Sequence, residues 1–211
     1  VLIQSGGLLE YSLLNVLVEG NTFTNTVSDT ANLNVVWNGP QEINIQNANN
    51  FIGTAASNNQ GILIDATSND LANLMTLRVI NNNNFIMAGA DSEGIQISTE
   101  GPSNILVAGN IDQGIVMGGF NSTGIRFLDL AANSNVQIDS NIINMTNIAG
   151  RGIFFDLINA TNSSVIIDNN QIGLFDGDSF IEQAVGFNAM TNGPLILGTG
   201  VNNVVNVTTV G

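Results

Sequence analysis

The segment Val165-Ile166-Ile167-Asp168-Asn169-Asn170-Gln171-Ile172 decides the fold, because its pattern returns along the chain. The pattern is Φ-x-Φ-x-x-Asn-x-Φ, where Φ is an apolar residue. Close copies span residues 16–23 and 136–143, and looser copies begin at Ile43, Leu77, Ile105 and Leu195. The seven copies begin 27, 34, 28, 31, 29 and 30 residues apart. The chain therefore consists of internal repeats, each about 30 residues long.

Two further apolar phrases lie within each repeat. The phrase Gly-Φ-x-Φ occurs at residues 61–64, 94–97, 124–127 and 152–155. The other phrase is an alternating apolar pair, found at Phe85 and Met87, Ile115 and Met117, Ile143 and Met145, and Ile172 and Leu174. Each repeat thus carries three short strands, about ten residues apart, with alternate side chains on one face.

The spacing of these strands selects the architecture. About ten residues per strand leave no room for the crossover helix that an ordinary parallel sheet needs. A coil with three faces accommodates the repeat. We therefore predict an all-β, right-handed parallel β-helix (a β-solenoid) of about seven coils, with three strands per coil. The absence of a linker or composition shift predicts a single domain over residues 1–211.

Composition excludes several classes of function. The 211 residues include 35 asparagines and 23 glycines but no cysteine, histidine or lysine, and the net charge is −14. Nucleic-acid binding needs clustered cations, whereas Arg78, Arg126 and Arg151 are the only cations in the sequence. We therefore expect no nucleic-acid partner. We also expect no membrane insertion, since no apolar run reaches the roughly 18 residues that a membrane span needs.

The repeated phrases resemble the parallel β-helix repeats of the pectate-lyase-like superfamily over nearly the whole chain. In that superfamily, stacked asparagines at one turn form an internal amide ladder. The resemblance implies this structural role for Asn21, Asn110, Asn141 and Asn170. The alternative is that some of them are merely turn residues in the left-handed conformation. The superfamily includes polysaccharide lyases and hydrolases, phage tailspikes and bacterial surface adhesins, and the chain is most like the β-helical segments of adhesins and autotransporter passengers.

Two pairs of aspartates are candidate metal ligands. Asp139 and Asp168 have the same offset in adjacent repeats, so they should stack about 4.8 Å apart, one strand spacing. They are either solvated turn residues, ligands of Ca²⁺, or an acid and nucleophile of a glycosidase. Asp176 and Asp178 flank a glycine as in a calcium loop, or they form a simple turn. Calcium is thus the one candidate cofactor, and no other is expected.

A second acidic group is a candidate glycan site. Asp129 and Asp156 follow their Gly-Φ-x-Φ strands, and Arg126 and Arg151 lie close to them in the same two repeats. The alternative is a set of surface ion pairs worth under about 1 kcal/mol. The resemblance to polygalacturonases fails, because those enzymes use a histidine and a lysine that this sequence lacks. We therefore assign no catalytic residue.

These observations favour a non-catalytic, extracellular structural or adhesive rod of a bacterial surface or secreted protein. The alternative is a polysaccharide lyase or hydrolase, or a tailspike-type glycan-binding β-helix. Expected partners are a second copy or further coils of a parent chain, and a surface glycan or protein receptor. Neither end of the sequence carries a polar cap, and exposed coil ends are sheet edges that invite pairing. We therefore expect the rod to be a segment of a longer one.

Overall fold

The computed structural model describes residues 1–4, 14–38, 41–54, 57–67, 74–146, 149–157, 160–174, 181–189, 195–199 and 204–206. These residues are all-β, and none of them lies in a helix that is long and apolar enough to cross a lipid bilayer. The strands are β1 (Leu2–Gln4), β2 (Leu14–Glu19), β3 (Thr22–Asn25), β4 (Ala31–Asn38), β5 (Gln41–Gln46), β6 (Asn50–Gly53), β7 (Gln60–Thr67), β8 (Met75–Ile80), β9 (Asn84–Met87), β10 (Glu93–Thr99), β11 (Ser103–Ala108), β12 (Gly114–Met117), β13 (Thr123–Leu130), β14 (Asn135–Asp139), β15 (Ile142–Met145), β16 (Gly150–Leu157), β17 (Ser163–Asp168), β18 (Gln171–Leu174), β19 (Ile181–Ala189), β20 (Leu195–Thr199) and β21 (Val204–Asn206).

Every third strand joins the same sheet, which makes the chain a parallel β-solenoid. Sheet 1 has the order β1-β4-β7-β10-β13-β16-β19, sheet 2 β2-β5-β8-β11-β14-β17-β20, and sheet 3 β3-β6-β9-β12-β15-β18-β21. The predicted fold class is confirmed. Five complete turns separate β3 from β18, slightly fewer than the predicted seven coils, because the coils at the two ends are only partly described.

The repeated phrases stack in register from turn to turn. In sheet 2, Val136 lies between Ile105 and Val165, and in sheet 1, Ile125 lies between Ile95 and Ile153. The last copy of the first phrase was misplaced by two residues, since Val165 pairs with Leu197 and not with Leu195. The repeat from Val165 to Leu197 is therefore 32 residues long, two more than the pattern suggested.

The interior is filled by columns of apolar side chains, one column for each inward position. Phe23, Phe51 and Phe85 stack in sheet 3 with ring centroids 5.1 and 4.8 Å apart. Phe127 and Phe155 stack in sheet 1 at 4.6 Å. All three spacings are close to the distance between neighbouring strands, so identical residues in successive turns meet face to face.

The glycines of the Gly-Φ-x-Φ phrase are required by close packing. A Cβ on Gly94 would lie 2.6 Å from the carbonyl oxygen of Gly124 and 2.6 Å from Cγ2 of Ile115. The equivalent positions Gly61, Gly124 and Gly152 meet a carbonyl oxygen of the next turn at 2.5, 2.7 and 2.6 Å. Each glycine thus leaves room for the first inward side chain of sheet 3, which joins sheet 3 closely to sheet 1.

A proline lies at the corner between sheet 1 and sheet 2. Pro102 is buried and immediately precedes β11 of sheet 2. Its missing N–H is tolerated there because ladder hydrogen bonding begins only with the strand. The other two prolines, Pro40 and Pro194, lie outside the described residues.

Replacing Gly94 with alanine is expected to destabilise the solenoid by about 1–3 kcal/mol, the usual cost of overpacking a core. The physical reason is the 2.6 Å approach of the new Cβ to the Gly124 carbonyl oxygen and to Ile115. Urea denaturation followed by circular dichroism measures the change, and Gln96→Ala at a half-exposed position of the same strand is the control. Equal unfolding midpoints for the two variants would contradict this account of the glycines.

Candidate functional site

The side-chain amides of five buried asparagines form a continuous row at the corner between sheets 2 and 3. In the first four of them, Nδ2 donates to the Oδ1 of the asparagine one turn later, at 2.8, 3.1, 2.8 and 2.9 Å along the row. Each Nδ2 also donates to a carbonyl oxygen of the sheet-2 strand one turn earlier. The members of this asparagine row are Asn49, Asn82, Asn110, Asn141 and Asn170. The row satisfies polar groups that burial of the corner would otherwise leave unpaired.

The sequence predicted this row only in part. Asn110, Asn141 and Asn170 belong to it, whereas Asn21 is exposed at its end and donates to Asn49 Oδ1 over 3.4 Å. Asn82 was missed because it lies in a run of four asparagines. The strand register identifies it. Leu77 and Ile105 are registered partners in sheet 2, and Asn82 and Asn110 lie five residues after them, respectively.

Asn49 was missed because its corner holds one extra residue. Asn47 and Ala48 both have a positive φ, of 54° and 61°. The other corners of this set have a single such residue before the asparagine, namely Gly20, Asn81, Gly109, Ser140 and Asn169. The left-handed conformation turns the chain sharply, and the added residue displaces the asparagine by one position in sequence but not in space.

Serines occupy the equivalent position at the corner between sheets 1 and 2. The backbone N–H of Ser103 donates to Oγ of Ser134 over 3.1 Å, and that of Ser134 donates to Oγ of Ser163 over 3.1 Å. All three serines are buried, and Asn133 and Asn162, which precede two of them, have a positive φ. The sequence alone does not reveal this row, because buried and exposed serines look alike in the sequence.

A third row lies at the corner between sheets 3 and 1. The backbone N–H of Asn59 donates to Oγ of Ser92 over 3.1 Å, and that of Ser92 donates to Oγ of Ser122 over 3.2 Å. Outside this row, Asn58 donates to Asp29 over 2.8 Å and Asn121 donates to Asp91 over 2.7 Å. All three corners therefore combine a left-handed turn residue with a buried polar side chain that bonds to a neighbouring turn.

The candidate metal ligands Asp139 and Asp168 are direct neighbours across β14 and β17. Oδ1 of Asp139 accepts hydrogen bonds from Oγ of Ser140 and Nδ2 of Asn169, both at 3.0 Å. The described residues contain no group of three or more acidic side chains placed to hold a metal ion. Asp176 and Asp178 lie outside the described residues, so calcium binding stays a prediction.

An irregularity in sheet 1 lies beside the candidate glycan residue Asp129. The register between β10 and β13 shifts after Ile97, so that Ser98 faces Asp129. The pairing of β13 with β16 ends at Phe127 and Phe155, one residue before Asp156. Asp129 and Asp156 are therefore not registered partners. Oδ1 of Asp129 accepts a hydrogen bond of 2.8 Å from the backbone N–H of Leu130.

The two arginines of this group make different contacts. NH1 of Arg126 lies 2.9 Å from Oε1 of Glu93 in an ion pair. The guanidinium carbon of Arg151 lies 4.9 Å from the centroid of the Phe154 ring, which is the geometry of a cation–π contact. Phe154 is also the registered neighbour of Arg126. The structure thus brings both arginines to one aromatic ring on sheet 1.

Glu93 is a buried acidic residue beside these arginines on sheet 1. It is not among the residues that the sequence pattern indicates. It is only 5% exposed, and its carboxylate accepts from Arg126 and, over 3.0 Å, from Nε2 of Gln60. Burial raises the pKa of Glu93 above its usual value of 4.5, and the contacts with Gln60 and Arg126 oppose that rise. The Gly-Φ-x-Φ phrase places Glu93 opposite Gln60 and Thr123 in the neighbouring strands. The phrase does not reveal that the Glu93 side chain is buried.

Replacing Asn141 with alanine is expected to lower the free energy of unfolding by at least about 2 kcal/mol, because each buried group left unpaired costs about 1–3 kcal/mol. The groups affected are the Val107 carbonyl, the Asn110 amide and the Asn170 Oδ1. Asn21→Ala is the matched control, since this exposed end of the row should cost well under about 1 kcal/mol. Equal losses in thermal or urea unfolding would contradict a stabilising role for the row.

The stability of Glu93→Gln relative to the unsubstituted protein is expected to rise with pH. Since the pKa of Glu93 is raised in the folded state, its contribution is largest when the carboxyl is protonated and declines as pH rises through that pKa. Unfolding of both proteins between about pH 4 and pH 7 measures the difference. Asp65→Asn, an exposed acid of the same sheet, controls for the loss of one charge. A difference that falls with pH would show that the Arg126 contact outweighs burial.

No protein-family model, no curated protein and no solved structure matches the chain. A parallel solenoid supports many unrelated functions, because function depends on the side chains that the fold carries. Function must therefore be inferred from the corner rows, the ionic contacts and the outward faces of the three sheets.

Proposed function

We propose that this chain is a non-catalytic structural or adhesive rod from the surface or the secreted proteins of a bacterium, related to the adhesin members of the pectate-lyase-like superfamily. The observation that carries the proposal is the continuity of the asparagine row. Four consecutive amide hydrogen bonds join Asn49 to Asn170, one for each turn. The two other corners carry rows of the same kind.

These rows support a mechanical role. Each turn of a solenoid contacts only its neighbours, so the cohesion of the rod is set by the interface between successive turns. Here each interface combines a strand ladder in three sheets, columns of stacked apolar side chains and buried corner hydrogen bonds. A rod with such interfaces holds outward side chains at a fixed spacing over its whole length.

Three of the candidate ionic residues, Arg126, Asp139 and Asp129, make contacts within the solenoid. Arg126 binds Glu93 of the preceding turn, and Asp139 accepts from Asn169 of the following turn. Asp129 accepts from the adjacent backbone. These contacts support a structural role for the charged residues. The net charge of −14 favours an extended, well-solvated surface that meets neutral or cationic partners.

Imaging and adhesion assays on the purified chain test this proposal. We expect rods that associate end to end or side by side in negative-stain images, and clumping of cells or beads that carry the chain. A strictly monomeric protein that neither adheres nor clumps would contradict the proposal. Release of oligosaccharides from acidic glycans, lost on Asp129→Asn or Asp156→Asn, would establish the enzymatic alternative instead.

A further inference from the structure

The strands of sheet 3 form a neutral band along a strongly acidic chain. None of the seven strands that the structure describes in this sheet contains a charged residue. The strands of sheet 1 include Asp65, Glu93, Arg126, Asp129 and Asp156. Those of sheet 2 include Glu19, Glu42, Arg78, Asp139 and Asp168. The net charge of −14 is therefore carried outside the strands of sheet 3.

The outward side of sheet 3 carries an aliphatic column. Thr24 pairs with Ile52, Ile52 with Ile86, and Ile86 with Val116 in successive strands. The three aliphatic side chains are half-buried and alternate with fully buried inward residues. An apolar strip thus runs parallel to the solenoid axis, with one side chain for each turn.

A groove of about 500 Å³ widens this strip beside β12 and β15. Ile111, Val116 and Ile142 supply its aliphatic walls, and Ile111 is 53% exposed at the corner before β12. Phe120, at the corner after β12, is 56% exposed. Single exposed apolar residues are ordinary, whereas a contiguous apolar surface marks a site of contact with another molecule.

Acidic residues lie at the rims of the strip. Asp112 follows Ile111 at one corner, and Asp139 ends a sheet-2 strand before the same corner of the next turn. Asp29 and Asp91 lie at the opposite corner. Two copies of so acidic a chain repel each other where their carboxylates meet. Contact between two sheet-3 faces opposes no strand carboxylate to another, so it is the least repulsive way to pair them.

The spacing of the strip also matches a second copy of this chain. Its side chains repeat at the separation of the strands, about 4.8 Å. Only a surface of the same period interdigitates with it at every turn, as the inner faces of two packed sheets do. An identical solenoid offers that period together with the same aliphatic column and the same lack of charge.

The area is sufficient for specific but reversible association. Four residues per strand, about 3.3 Å each, over six strands about 4.8 Å apart give a flat area of roughly 380 Å². The corners that hold Ile111 and Phe120 add roughly 5 Å on each side, which brings the area to roughly 650 Å² per copy. The total of roughly 1,300 Å² lies at the lower end of the range for specific interfaces.

We propose that sheet 3 is the face through which two copies of this chain associate side by side, with the column of Ile52, Ile86 and Val116 in each copy packed against sheet 3 of the other. The inference rests on the proposed structural or adhesive function and names the face that carries self-association.

Sedimentation equilibrium of the purified chain tests the pairing with two matched variants. We expect dimers with a dissociation constant of roughly 1–100 µM, the weak end for interfaces of standard size. Ile86→Glu places a carboxylate on the strip and should weaken dimerisation at least about tenfold. Ile166→Glu is the same substitution at a 42% exposed position of sheet 2 and should leave the dissociation constant unchanged. Equal weakening by the two variants would overturn the assignment to sheet 3.

A milder variant controls for misfolding of Ile86→Glu. Ile111 is exposed and lies outside the strands, so Ile111→Ser should preserve the circular dichroism spectrum and the melting temperature. It should still weaken dimerisation severalfold, because Ile111 loses its apolar contact with the second copy. Dimerisation of undiminished strength in this folded variant and in Ile86→Glu would overturn the proposal.

Salt provides an independent readout. Dimerisation should strengthen severalfold between about 50 and 500 mM NaCl, because salt screens the repulsion between acidic rims and leaves the apolar contact in place. Weaker dimerisation at the higher salt concentration would show that ion pairs hold the copies together, and it would overturn the proposal.

The outcomes separate this inference from the adhesive function. A chain that clumps cells but stays monomeric at millimolar concentration would overturn the pairing and leave the adhesive role intact. A chain that dimerises through sheet 3 but neither adheres nor clumps would support the pairing and contradict the adhesive role. A monomeric chain that binds phosphatidylcholine vesicles, and loses this binding in Ile86→Glu, would assign the strip to lipid and overturn the pairing.

Discussion

The whole structure depends on hydrogen bonding between equivalent corner positions of successive turns. A solenoid corner must reverse the chain direction and still bury its inner side, which leaves backbone N–H and carbonyl groups without a strand partner. This chain solves the problem with a left-handed residue followed by an inward asparagine or serine, as at Ser140 and Asn141. The solution works only if the next turn repeats it in register, so the corners set the alignment of all three sheets.

Core packing and corner bonding reinforce the same register. The aromatic stack of Phe23, Phe51 and Phe85 lies on sheet 3, directly after the asparagine row in the chain. The glycine at the start of each sheet-1 strand admits the first inward residue of sheet 3. A shift by one residue would turn every inward side chain outward and would separate the corner amides at the same time. The two requirements together explain why a degenerate sequence specifies one register.

The outward side chains of the three sheets distinguish this rod from other proteins of the same fold. Inward and corner positions are constrained by packing and hydrogen bonding, whereas alternate outward positions are free to serve a partner. Arg126 on sheet 1 and Arg78 on sheet 2 use such positions for ion pairs with Glu93 and Glu42.

The sequence by itself determined the three-strand repeat, the parallel stacking and most of the register, because alternating apolar positions and short spacings admit few other folds. It also located Asn110, Asn141 and Asn170, whose distance from the paired strand is constant. Only the folded structure shows that Asn49 joins the row through an extra turn residue, that Glu93 is buried, and that a register shift places Asp129 opposite Ser98. These features depend on contacts between turns about 30 residues apart, and a pattern read within one repeat carries no information about them.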